Sequence, residues 1–163
     1  MKKIILLQAM LLSLISCNKT PLKKTADYIK ENHSKTVILS DFTNFKWDET
    51  WLISGSIGGD YIKLMKEQNI NVKKIENSKN TEYGISKDYF NTIVYVYNKE
   101  VVYYEFPPDT REIFSLAPEQ PSALLDFKIS RGQIIVLSKD NSICNVEDGE
   151  LVPINPIKIY QIE

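Results

Sequence analysis

The side chains best able to do chemistry are few and scattered. Two cysteines and one histidine occur in 163 residues. Cys144 lies in Ser142-Ile143-Cys144-Asn145-Val146, whose alternation reads as a strand, so the expectation is a buried small hydrophobe. A nucleophilic thiolate needs a nearby base or positive field, and His33, the sole imidazole, falls in a distant helix-to-strand junction. Carboxylates for acid–base hydrolysis stand at Asp48, Glu49 and Asp60. Such a reaction needs two carboxyls held across the scissile bond, whereas neighbours on a strand point to opposite faces. Caps or solvated edge charges are the expected roles.

A serine nucleophile finds no G-x-S-x-G, and His33 would have to serve as its base. One histidine without a cysteine cluster argues against zinc, and no Asp-rich calcium loop of the EF-hand pattern is present. The expectation is no metal and no cofactor. Gly55-Ser56-Ile57-Gly58-Gly59 ahead of a helix invites a phosphate-loop reading. Neither GxxxxGK[ST] nor GxGxxG is there, so a plain strand-to-helix turn is expected.

The remaining cluster is aromatic: Trp47, Trp51, Tyr95, Tyr97, Tyr103 and Tyr104, with Tyr83, Tyr89 and Phe90 nearby in sequence. Tyr103 and Tyr104 are adjacent on a strand and cannot both face one core. Some tyrosines are therefore expected at the surface, where aromatics enrich interfaces and stack on sugar rings, and the six are the candidate binding surface. Tyrosine is also simply a good strand former.

The elements that position these groups follow from periodicity. Leu22, Ala26 and Ile29 with Tyr28 fall at helical spacing and end near Asn32. Thr36 to Ser40 and Phe45 to Gly55 read as strands, the second placing Glu49 among aromatics unless its register resets near Asp48. Tyr61, Leu64, Met65 and Gln68 predict a helix with Asp60 as cap. Ile70 to Ile75 is short alternation, and Glu76 to Lys87 reads as an irregular connection. Thr92 to Tyr97 and Glu100 to Phe106 flank Asn98-Lys99 as a hairpin, closed by Pro107-Pro108. After a looser stretch, Ala123 to Ile129, Gln133 to Leu137, Ser142 to Val146 and Leu151 to Ile154 read as a β-meander with a short extended tail beyond Pro156.

The N-terminus opens Met1-Lys2-Lys3 and runs apolar from Ile4 to Ile15, too short for the about 20 residues of a membrane span. This is a signal-peptide layout. Leu14-Ile15-Ser16-Cys17 resembles the lipobox of bacterial lipoproteins. The resemblance implies lipid on the Cys17 thiol, cleavage after Ser16, and stable anchoring by two or more acyl chains. In that family Asn18, rather than Asp, favours the outer membrane where there are two, and Lys19, Lys23 and Lys24 give no surface-export signal, so the periplasmic face is expected. The chain thus divides into a signal peptide at 1–16, a lipidated Cys and tether at 17–21, and one domain at 22–163. Loss of Lys2 and Lys3 leaves eighteen basic against twenty-one acidic side chains, a formal charge of −3. No basic surplus points to nucleic acid.

The domain reads as α+β, with two helices packed on a mostly antiparallel sheet ending in the meander. Phe45-Lys46-Trp47-Asp48, followed by Trp51-Leu52-Ile53 and a helix, is similar to small uncharacterised bacterial lipoproteins carrying an F-x-W-D strand. Their usual Pro-Tyr after that strand is replaced here by Gly55 and Ser56, and the resemblance carries no function. Two classes of function remain open. One is a non-catalytic protein-binding module on the membrane, of which an immunity protein against an envelope-acting toxin is one form. The other is a small periplasmic enzyme or ligand carrier. The lack of a catalytic constellation favours the first.

Overall fold

The computed structural model describes residues 19–77, 91–105 and 125–162. The expected signal peptide, Cys17, Tyr83, Tyr89, Phe90, Pro107, Pro108 and residues 109–124 lie outside the described residues, as does most of the connection expected after Glu76.

Helix α1 (Pro21–Asn32) starts one residue earlier than its apolar pattern suggests. Thr20 is extended and its hydroxyl accepts the Lys23 amide at 3.3 Å, while Pro21 fills a first-turn position where its missing N–H costs nothing. Thr20 and Pro21, assigned above to the tether, thus belong to the folded helix start. The helix stops at His33, which turns left-handed at φ 50°.

Strand β1 (Thr36–Ile38) leads through a tight turn towards β2 (Glu49–Ile53). β2 begins later than expected because the chain bends at Asp48. There the Asp48 amide donates to the Val96 carbonyl at 2.7 Å and its carbonyl accepts the Lys139 amide at 2.8 Å. The bend resets the facing, sending Trp47 into one core and Trp51 with Ile53 into the other. Helix α2 (Asp60–Glu67) follows, with Gly59 rather than Asp60 at its cap position and no side-chain cap bond. Helix α3 (Lys73–Glu76) is a single turn.

Strands β3 (Thr92–Tyr97) and β4 (Glu100–Glu105) form the expected hairpin. Asn98 and Lys99 both take positive φ, 48° and 63°, as a two-residue hairpin turn with the correct twist demands. Asp48 Oδ2 accepts the Asn98 amide at 2.8 Å, which fixes a turn whose second residue lacks glycine's freedom. The late strands are β5 (Asp126–Phe127), β6 (Gln133–Ser138), β7 (Ile143–Glu147), β8 (Glu150–Pro153) and β9 (Lys158–Gln161), the last being the extended tail paired on β6.

The fold is α+β, with helices on mostly antiparallel sheets. A five-stranded sheet of order β4-β3-β2-β6-β9 is antiparallel throughout. A four-stranded sheet of order β1-β7-β8-β5 is antiparallel except at β5–β8. The late strands thus divide between two sheets. The chain changes sheet between β5 and β6, between β6 and β7 and between β8 and β9; the second change falls at the tight turn Lys139–Asn141, after which Ser142, fully buried, accepts the Ser40 amide at 3.2 Å and donates to the Lys139 carbonyl at 2.9 Å.

Trp51-Leu52-Ile53, Ile93 to Val96 and Ile134 to Leu137 are continuous buried runs, the signature of strands covered on both faces. On one face Trp51, Val94 and Val136 pack with Tyr61 and Met65 of α2 and Ile75 of α3. On the other, Leu52, Tyr95 and Leu137 pack with Leu22 of α1 and with Val37, Cys144 and Leu151 of the small sheet. Three layers result: α2 and α3, the five-stranded sheet, then the four-stranded sheet with α1. The outer face of the four-stranded sheet stays towards solvent.

Candidate functional site

Half of the expected aromatic surface is core. Trp47, Trp51 and Tyr95 are 2%, 1% and 0% exposed, so these three cannot form a binding surface in the folded chain. The reason is the two-sided burial of the large sheet, which gives Trp51 and Tyr95 cores on opposite faces, while Trp47, just before β2, turns into the same core as Tyr95. The Trp47 ring meets Tyr95 edge-on at 5.3 Å between ring centres, and its Nε1 donates to the Thr43 hydroxyl at 2.9 Å. Trp51 stacks on Tyr160 at 5.6 Å and donates to Glu49 Oε2 at 3.3 Å. Tyr103 and Tyr104 do point to opposite faces, yet each is partly buried, Tyr103 beside Phe45 and Tyr95 and Tyr104 against the helix-side core. Tyr97 is half-buried at the end of β3. Burial pushes the Tyr103 phenol up to about 12 and the Tyr95 phenol well above its ordinary range.

The groups offered for catalysis do not converge. Cys144 is fully buried opposite Val37, and burial pushes its thiol up to about 12, while His33 stands exposed at the end of α1. A neutral buried thiol and a solvated imidazole make no nucleophile–base pair. Asp48 holds the hairpin turn, Glu49 accepts from an indole, and Asp60 opens α2 beyond the far end of β2. The glycine-rich stretch is a turn whose polar groups are used internally: Asn91 Oδ1 accepts the Gly55 amide at 3.2 Å and the Ser56 hydroxyl accepts the Gly132 amide at 2.8 Å. Among the described residues no three His, Cys, Asp or Glu side chains gather as a metal site, and no helix is long and apolar enough to cross a membrane.

Two features were not singled out in the sequence. Glu105 ends β4 at 6% exposure, and its Oε1 accepts the Leu22 amide of α1 at 3.2 Å. Its Oε2 makes no hydrogen bond among the described residues. Burial pushes this carboxyl up to about 7, against the opposing pull of the Thr20 hydroxyl, the Leu22 amide and the Lys24 charge. The available signal was the facing of β4: Glu105 shares a side with Tyr103, two residues earlier, and therefore meets the core.

The second feature is the outer face of the four-stranded sheet. Val37, Cys144 and Leu151 point inwards, so their strand neighbours point out. Ile38 stands opposite Ile143, and the Ile154 amide donates to the Ile143 carbonyl at 3.1 Å, making one row of isoleucines. Ile38 and Ile154 are 41% and 43% exposed. The next row is Thr36, Asn145 and Val152, and the third is Glu147, Glu150 and Asp126. Alternation in Ile143-Cys144-Asn145-Val146-Glu147 marks a one-sided strand, but only the register reveals that its outward isoleucine has isoleucine neighbours.

Compared with protein-family models, curated proteins and solved structures, the chain matches none.

Proposed function

We propose that this chain is an envelope-tethered lipoprotein whose folded domain is a non-catalytic protein-binding module. The anchor rests on Leu14-Ile15-Ser16-Cys17 and its resemblance to a lipobox. Three residues, Asn18, Lys19 and Thr20, separate Cys17 from Pro21, where α1 begins, which makes four steps of chain. At the about 3.5 Å per residue of extended chain, that spacer reaches roughly 14 Å. The domain would therefore work close to the membrane surface, facing the periplasm on the outer membrane where two membranes exist.

One observation supports the binding reading over an enzyme. Cys144 is buried in the core with its thiol pushed up, His33 is exposed at the end of α1, Asp48 holds the Asn98 turn and Glu49 accepts from the Trp51 indole, so each of these groups already has a structural place. The isoleucine row on a solvent-facing sheet is instead the kind of surface that a partner covers.

The test is metabolic labelling with alkyne-palmitate and fractionation of wild type and Cys17→Ala, followed by isolation of the wild-type chain from solubilised membranes. Label and membrane retention should both disappear in Cys17→Ala, and one protein should accompany the wild type in fixed ratio. A variant that stays on the membrane overturns the anchor. A wild-type chain recovered alone overturns the binding module.

A further inference from the structure

We infer that the outer face of the four-stranded sheet docks a protein surface carrying apolar side chains beside lysine or arginine. This rests on the binding reading above and gives it a location and a partner chemistry.

A solvated antiparallel sheet normally alternates apolar-in and polar-out. Here the outward row Ile38 of β1, Ile143 of β7 and Ile154, one residue past the end of β8, breaks that rule. At the other end of the same face, Glu147 stands directly opposite Glu150, and Asp126 is Glu150's partner on its other side. Like charges placed directly opposite weaken a sheet. Lys128 Nζ approaches Glu147 Oε2 at 3.4 Å, and Asp126 Oδ1 accepts from Asn91 Nδ2 at 2.9 Å and from its neighbour's amide at 2.7 Å. Among the described residues, three carboxylates with that one lysine leave the row negative.

The two rows together select the occupant. An anionic lipid surface would be repelled by the acidic row. Two copies packed face to face would set acid against acid, or bury carboxylates against the other copy's isoleucines without a counter-charge. A partner with an apolar patch next to a cationic edge satisfies both rows, and opposite charge would also steer its approach. The rows are four residues apart along β7, from Ile143 to Glu147. At about 3.4 Å per residue this sets the partner's apolar and cationic groups roughly 14 Å apart.

The test is photo-crosslinking in living cells with the full, lipid-bearing chain. A benzophenone amino acid replaces Ile143 or Val152, and Lys63 on the exposed side of α2 is the control position. Both face positions should give an adduct with one envelope protein, joined through a segment containing Lys or Arg, and position 63 should not. Glu147→Lys with Glu150→Lys should lower the yield at least tenfold, with folding checked by circular dichroism. Should that pair misfold, Glu147→Gln with Glu150→Gln should still lower it severalfold. Adducts to lipid, to a second copy, or none at 143 and 152 overturn the inference. An adduct at 63 alone refutes this face while leaving the binding module standing, and no protein adduct at any position refutes both.

Discussion

Replacing Glu105 by glutamine should remove a pH dependence of folding that the wild type carries. The unfolded chain releases this proton near 4.5 and the folded chain at about 7, because burial between α1 and β4 disfavours the carboxylate. Between those values the folded state holds the extra proton, so this contribution is fully present below pH 4.5 and is lost as pH rises through about 7. Each tenfold change in proton affinity is worth about 1.4 kcal/mol, which makes the whole interval roughly 3 kcal/mol. The facing groups do not reverse this sign: Lys24 favours the charged form, and the Tyr95 and Tyr103 phenols stay neutral because burial raises both. Glutamine keeps an oxygen for the Leu22 amide but does not titrate. In urea titrations from pH 4 to 9, the stability difference between wild type and Glu105→Gln should shift by about 3 kcal/mol in favour of the variant as pH rises. For a chain of this size that corresponds to roughly 6–12 °C in Tm. Parallel curves across the range would refute the placement of Glu105 against α1.

Trp51→Ala should cost about 3–5 kcal/mol of stability, read by thermal melting, because the ring is core between β2 and Tyr160 and not a surface contact. Cys144 should resist thiol reagents at pH 8 in the folded chain and react at once in urea, since burial holds its thiol near 12. Gly132→Ala should destabilise, because the position has φ 73° and a new methyl would stand 2.5 Å from the Ile162 carbonyl oxygen, loosening β9 from β6 in hydrogen exchange. Glu150→Lys should stabilise the fold by up to about 1 kcal/mol by removing like charges opposite Glu147 and Asp126, while impairing partner binding.

Local patterns were legible where a single element decides them. The end of α1, the Asn98-Lys99 hairpin and the β7–β8 pair all follow from capping, turn and alternation signals that act over a few residues. The continuous apolar runs of β2, β3 and β6 imply strands covered on both faces. Burial on both faces requires a second covering layer, and this is why Trp47, Trp51 and Tyr95 are core instead of a binding surface. The assignment of strands to two sheets depends on contacts such as the Ser142 hydroxyl with Ser40, 102 residues apart, which no local window contains. For the same reason no local window shows Glu105 against the Leu22 amide or Ile38, Ile143 and Ile154 side by side. Cross-strand register, not composition, makes them neighbours.

The most direct measurement of the central claim is native mass spectrometry of the chain extracted from membranes. The expected result is a mature chain beginning at acylated Cys17, in a fixed-stoichiometry complex with one other protein. A chain retaining residues 1–16, or a bare unacylated chain with no companion, would contradict it.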